Sequence, residues 1–163
     1  MVKLFAEQGA CIGLHYNKNC ALAQNICEEA RRHTAKVELF SGNLLEEITM
    51  KGLVHAFIEK FGGIDVLINN AGAFYGYKHF SELDSESWNK TFDLNAKAPF
   101  YLIGSAFEHM KGKGGGRIIN ISSASVRYGS SPNGLHYTAA KAAMDSMMLG
   151  FSKAGAQDNI LVN

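Results

Sequence analysis

From residue 11 onward, short apolar runs alternate with longer amphipathic stretches. This alternation constrains the fold more than any other feature. A strand covered on both faces reads as an almost unbroken apolar run, and a helix packed on a sheet repeats its apolar residues every three to four positions. Alternating the two predicts strand-helix units and a parallel sheet. With 163 residues the chain has the length of one domain, at roughly 150 residues per domain. A chain of this size buries about 70% of its unfolded surface.

The clearest predicted helix spans Glu46 to Phe61. Met50, Leu53, Val54, Phe57, Ile58 and Phe61 recur there at helical spacing, and Gly62-Gly63 ends the pattern, as glycine does when a helix closes in a left-handed turn. Ile64 to Ile68 follows as a short buried strand, with further strands at Ala10 to Tyr16, Lys36 to Phe40, Arg117 to Ile121 and Ile160 to Val162. Ser81 to Met110 reads as one long helical region, capped by Asp84 or Ser85 and interrupted at Pro99. A last helix is predicted from about His136 to Ala156. Gly114-Gly115-Gly116 precedes a strand instead of following one, so it reads as a turn and not a phosphate loop.

Composition removes several function classes. Lys plus Arg number 16 against 15 Asp plus Glu, a net charge of +1 without a basic tract, which opposes a nucleic-acid partner. The apolar runs are shorter than the roughly 18 residues of a spanning helix, so no membrane partner is expected. Cys11, Cys20 and Cys27 form neither an even set nor a Cys-x-x-Cys pair, which points to a reducing, cytoplasmic setting. His15, His33, His55, His79, His109 and His136 lack metal-ligand spacing and read as solvated or structural, so no metal is expected.

Ligands of open parallel sheets bind beyond the carboxyl ends of the strands, which singles out two places. After Ile68 comes Asn69-Asn70-Ala71-Gly72, where small residues admit a ligand to the backbone and amide side chains can tie neighbouring strand ends together. After Ile121 come Ser122 and Ser123, followed by Tyr137 and Lys141, four apart and so on one helix face. A tyrosine with a pKa of about 10 is a poor base near neutrality unless a cation stabilises its phenolate. Lys141 can supply that cation, and a serine hydroxyl at the strand end can hold a carbonyl or alcohol oxygen beside the phenol. Taken alone, a Tyr-x-x-x-Lys spacing is most often an exposed helix pair.

Asn69-Asn70-Ala71-Gly72, Asp93-Leu94-Asn95, Ser123 and Tyr137-Thr138-Ala139-Ala140-Lys141 occur together in this order, and the set resembles the short-chain dehydrogenase/reductase family over essentially the whole chain. The resemblance implies an α/β, Rossmann-like doubly wound parallel sheet. It also implies an oxidoreductase that moves a hydride between a nicotinamide cofactor and a carbonyl or alcohol, a small-molecule substrate. By position, Tyr137 is the implied general acid/base, Lys141 lowers its pKa and binds the nicotinamide ribose, Ser123 positions the substrate oxygen, and Asn95 supports a proton-relay water. Asn70, Ala71 and Gly72 lie where the family contacts cofactor, and Asn43 stands at its adenine-contacting position. Around Asn17 and Lys18 no carboxylate is present to repel a 2′-phosphate, which favours NADP over NAD.

The departures shape a further expectation. Met1 to Gly9 resembles the end of the helix that follows the family's Gly-rich turn, and Leu161-Val162-Asn163 falls where the family continues toward its substrate-covering segments. The expected object is therefore a single, incomplete dinucleotide-binding domain over residues 1–163, lacking the first strand. In the strand order 3-2-1-4-5-6 that loss separates the first two visible strands from the rest and weakens pyrophosphate binding. The full-length parent is expected to be a dimer or tetramer. The alternative is a non-catalytic fragment or pseudoenzyme that acts only by association.

Overall fold

The computed structural model describes residues 1–34 and 36–163. Its elements run α1 (Val2–Glu7), β1 (Ile12–Tyr16), α2 (Cys20–Arg31), β2 (Val37–Ser41), α3 (Glu47–Phe61), β3 (Val66–Asn69), α4 (Ser85–Phe92), α5 (Ala98–Gly112), β4 (Gly116–Asn120), α6 (Ser125–Tyr128), α7 (Leu135–Gly155) and β5 (Ile160–Val162). All strand pairs are parallel. They form two sheets, β1-β2 and β3-β4-β5, the grouping expected when the first strand of a 3-2-1-4-5-6 order is not among the strands. The chain divides into two compact units, Met1–Gly62 and Gly63–Asn163.

In the first unit, Ile12 stands opposite Val37 and Tyr16 opposite Ser41. Ala23, Cys27 and Ala30 recur at helical spacing on the buried side of α2, and Cys27 and Ala30 form a small core with Ala6 and Val37. Asn19 starts α2, its side-chain oxygen accepting the Leu22 N–H at 3.1 Å, one of the donors a helix start leaves unpaired. Gly13 is required by close packing: a methyl group there would lie 2.5 Å from the Phe57 ring and 2.9 Å from Phe40. Gly62 closes α3 at φ 80°, the left-handed geometry anticipated from the sequence.

The second unit is built around β4, flanked by β3 and β5 with Asn69 opposite Asn120 and Gly116 opposite Ile160. Ile118 is fully buried, and Ile103, Met110, Met144 and Ile160 fill the same unit's interior. Burial of one such side chain stabilises the fold by about 1.5–3 kcal/mol.

The predicted long helix over Ser81–Met110 is corrected. Residues 80–82 form a single 3-10 turn, and α4 starts only at Ser85, because Asp84 accepts the Ser87 N–H at 2.7 Å and fixes the start there. The interruption placed at Pro99 lies earlier, at Asp93–Lys97, which forms one wide π turn closed by the Ala98 N–H on the Asp93 carbonyl. Pro99 then sits in the first turn of α5, where a missing N–H costs little. Among the described residues no helix is long and apolar enough to cross a membrane, and no group of three His, Cys, Asp or Glu side chains is placed to hold a metal.

Candidate active site

Helix α7 carries Tyr137 and Lys141 on one face, with the Lys141 ammonium 5.9 Å from the centre of the Tyr137 ring. Lys141 is only 3% exposed, and its Nζ donates to the Ile121 carbonyl at 2.8 Å. Burial pushes its pKa below the ordinary 10.5, while the Asp145 carboxylate one turn along opposes the fall. A buried cation beside a phenol favours the phenolate.

The residues leaving β4 are tied to α7 in succession. Ile121 holds Lys141 through its carbonyl, and Ser122 Oγ donates to Asp145 Oδ2 at 2.7 Å. Ser123 Oγ lies 2.9 Å from Ser125 Oγ, which accepts from Thr138 Oγ1 at 2.9 Å. Each hydroxyl has one proton. Ser125 accepts from Thr138, shares a hydroxyl hydrogen bond with Ser123 in which either oxygen can donate, and gives its backbone N–H to Ser123 Oγ at 3.3 Å. Where Ser125 donates in the shared bond, the Ser123 proton is left for an outside acceptor. Sequence left two candidate serines; Ser122 donates to Asp145, while Ser123 shares its hydroxyl bond with Ser125.

Asn95 is fully buried in the wide turn. Its Nδ2 donates to the Ala73 carbonyl at 2.7 Å and the Thr91 carbonyl at 2.9 Å, and its Oδ1 has no partner. The irregular turn lets this amide reach across to the strand-exit loop. Gly72 faces it: a methyl group there would lie 2.8 Å from Asn95 Oδ1 and 3.3 Å from Lys141 Nζ. An unpaired acceptor, a buried ammonium and a side-chain-free backbone thus converge on one space. Asn70, Ala71 and Gly72 are all exposed. Just before them, Asn69 Nδ2 donates to Asn120 Oδ1 at 2.8 Å, the strand-tying role read from the sequence. Open backbone beside convergent donors and an orphaned acceptor fits the polar ribose of a nicotinamide nucleotide.

Phe74 meets the Tyr137 ring edge-on, with centroids 6.4 Å apart. His136 is buried with Nε2 2.8 Å from the Tyr75 carbonyl and its ring 4.9 Å from Tyr77, a structural histidine that anchors the 74–77 segment. The first unit carries the remaining candidates. Asn17 and Lys18 are exposed. Asn43 serves its own turn, accepting from the Leu45 N–H at 3.2 Å and donating to Glu46 Oε1 at 3.2 Å. Asp145, Ser125 and Thr138 were missed by sequence reasoning. Asp145 had a signal, since residues 137, 141 and 145 share a helix face.

The family model for short chain dehydrogenase matches residues 1–163, and the chain belongs to that family. General stress protein 39 of Bacillus subtilis is 30% identical over 159 residues, covering 98% of this chain and 54% of its own length. Among solved structures, acetoin dehydrogenase YohF from Salmonella typhimurium superposes with a TM-score of 0.91 at 29% identity, over 99% of this chain and 64% of that one. An NADH-dependent reductase solved in complex with NAD gives 0.90 at 26% identity, over 98% of this chain and 68% of that one. The chain spans a little over half the length of the first curated relatives it matches, 54% and 58%.

Proposed function

We propose that residues 1–163 are part of one dinucleotide-binding domain of an NADP-dependent oxidoreductase acting on a small carbonyl or alcohol. The carrying observation is the buried Lys141 ammonium 5.9 Å from the Tyr137 ring. Tyr137 is the general acid/base: its phenol gives a proton to the carbonyl oxygen in reduction and takes it back in oxidation. Lys141 stabilises the phenolate and, with Asn70, Ala71 and Gly72, holds the nicotinamide ribose. A nicotinamide held there would supply or accept the hydride. Ser123 donates its remaining proton to the substrate oxygen, fixing it beside the phenol. Asn95 Oδ1 and the space at Gly72 hold a water that passes protons to Lys141.

Lys18, with Asn17 beside it, pairs with the 2′-phosphate and sets the preference for NADP over NAD, and Asn43 lies on the adenine side. One solved neighbour is named NADH-dependent; the preference proposed here rests on Asn17 and Lys18 of the present chain. The three thiols are free, which agrees with a reducing, cytoplasmic setting. Exposed Phe100 on α5 and Leu149 on α7 favour a homo-oligomer, a dimer or tetramer, for the parent protein.

The test is oxidation of NADPH and NADH by the 163-residue chain at millimolar cofactor with a carbonyl panel that includes diacetyl. Turnover faster with NADPH, and lost in Tyr137→Phe, is expected. Equal turnover by Tyr137→Phe rejects the reading. These 163 residues contain no Gly-rich turn between a strand and a helix to cradle a pyrophosphate, so calorimetry is expected to find weak cofactor binding. A tight stoichiometric complex would overturn that.

A further inference from the structure

Three side chains on one face of α7, Tyr137, Lys141 and Asp145, follow each other at four-residue intervals, and the last has no place in the proton transfer. Its carboxylate is fixed from outside the helix by Ser122, whose Oγ donates to Asp145 Oδ2 at 2.7 Å. The preceding residue, Ile121, accepts from Lys141 Nζ at 2.8 Å. Two adjacent residues of the β4 exit therefore grip two side chains one helical turn apart.

We propose that the Ser122–Asp145 pair is a positioning device for Lys141, in which Ser122 fixes the carboxylate and the carboxylate keeps the buried ammonium protonated. The need follows from the surroundings. The carbonyl of Ile121 is a neutral partner for a cation that is 3% exposed, and burial disfavours the charged form. Among the described residues the other groups facing the ammonium are the Tyr137 ring on α7 and the neutral Asn95 amide, which shares the Gly72 space with it. Asp145 is the charged side chain that acts on it among the described residues. The Ser122 hydroxyl holds this carboxylate in place; a freely rotating one would reach solvent and be screened. The consequence for catalysis rests on the reading of Lys141 as the partner of Tyr137, but the charge relation does not.

The experiment is an NMR pH titration of Lys141 in the 163-residue chain labelled in lysine side chains, with the resonance assigned by Lys141→Arg. Asp145→Asn keeps the shape and the Ser122 contact and removes the charge; the Lys141 midpoint is expected to fall. Ser122→Ala is expected to lower it by less, and Ser122→Thr, which restores the hydroxyl, to return it. An unmoved midpoint in Asp145→Asn overturns the proposal, and an unmoved midpoint in Ser122→Ala overturns the role of the serine. Unsubstituted chain supplies the check that needs no refolding variant: its Lys141 signal is expected to step where the Asp145 carboxyl titrates, and its absence counts against the pair. Loss of turnover in Tyr137→Phe is a separate result, so failure of the catalytic reading is distinguishable from failure of this one.

Discussion

The two compact units treat polar side chains in opposite ways. Among the described residues, the buried polar and charged ones, Asn69, Thr91, Asn95, Asn120, His136 and Lys141, all belong to 63–163. In 1–62 the charged groups sit at the surface, in pairs such as Lys3–Glu29 at 2.9 Å and Lys60–Glu38 at 3.2 Å, and the core of Ala6, Cys27, Ala30 and Val37 is small and apolar. A buried polar group costs free energy unless bonded, and when bonded it has one geometry. Proton transfer needs one geometry. Binding an adenosine phosphate, the role proposed for Asn17 and Lys18, needs mainly charge and access, and both residues are exposed. On the proposed function, chemistry is built where orientation is fixed, and recognition where it is adjustable.

The strongest way to break that comparison is to remove the fixed groups and ask whether turnover follows. Tyr137→Phe is expected to cut turnover by about 10²-fold or more, and Lys141→Ala by at least as much, because it also removes a ribose contact. Lys18→Ala is expected to raise the KM for NADPH and leave kcat within about twofold. Steady-state kinetics on the three variants decides the matter. A kcat loss in Lys18→Ala as large as that in Tyr137→Phe would erase the distinction between the units.

Legibility in the sequence followed the same division between local and distant causes. Helix α3 and its Gly62 stop, strand β5 and the Asp84 cap were readable because each depends on residues within one or two turns. The tying role of the Asn69 amide was readable as well, though its partner Asn120 comes from the structure. The sequence places the helix interruption at Pro99, whereas the wide turn lies at Asp93–Lys97. Its cause is tertiary: the Asn95 amide reaches the Ala73 carbonyl, 22 residues away in sequence, and no local pattern marks that bond. The Ser123–Ser125–Thr138 chain was hidden for the same reason, and Asp145 because an acid on a helix is ordinarily solvent-facing.

Apolar packing gives the next largest effect. Ile118→Ala in β4 is expected to cost about 2–5 kcal/mol, read as a drop in the urea midpoint followed by Trp88, the single tryptophan of the chain and a reporter within the second unit. Loss of under about 0.5 kcal/mol would mean that β4 is not the organising strand. Asn69→Ala is expected to cost about 1–3 kcal/mol, since Asn120 Oδ1 would lose its 2.8 Å donor while still buried. Asn69→Asp should be no better, because a carboxylate oxygen would face Asn120 Oδ1 in place of a donor.

The smallest effect separates the units by pH. In the first unit His15 is partly buried with Nε2 2.9 Å from the Gly42 carbonyl, and burial holds its pKa below the ordinary 6.5 despite that bond. As pH falls through 6.5 the unfolded chain takes the proton before the folded one, so this unit loses stability on acidification until the folded-state pKa is passed. Lys141 has the same sign in another window. Its folded pKa is below 10.5, so the second unit gains stability as pH climbs through the folded value toward 10.5, where the cost of burying the ammonium vanishes. Urea titrations between about pH 5 and 8, followed at Ile12 and Ile118 methyl signals, should show an acid-side decline at Ile12 that His15→Gln removes. An equal decline at Ile118, also removed by His15→Gln, would mean that the two units unfold as one and that their difference is confined to the site.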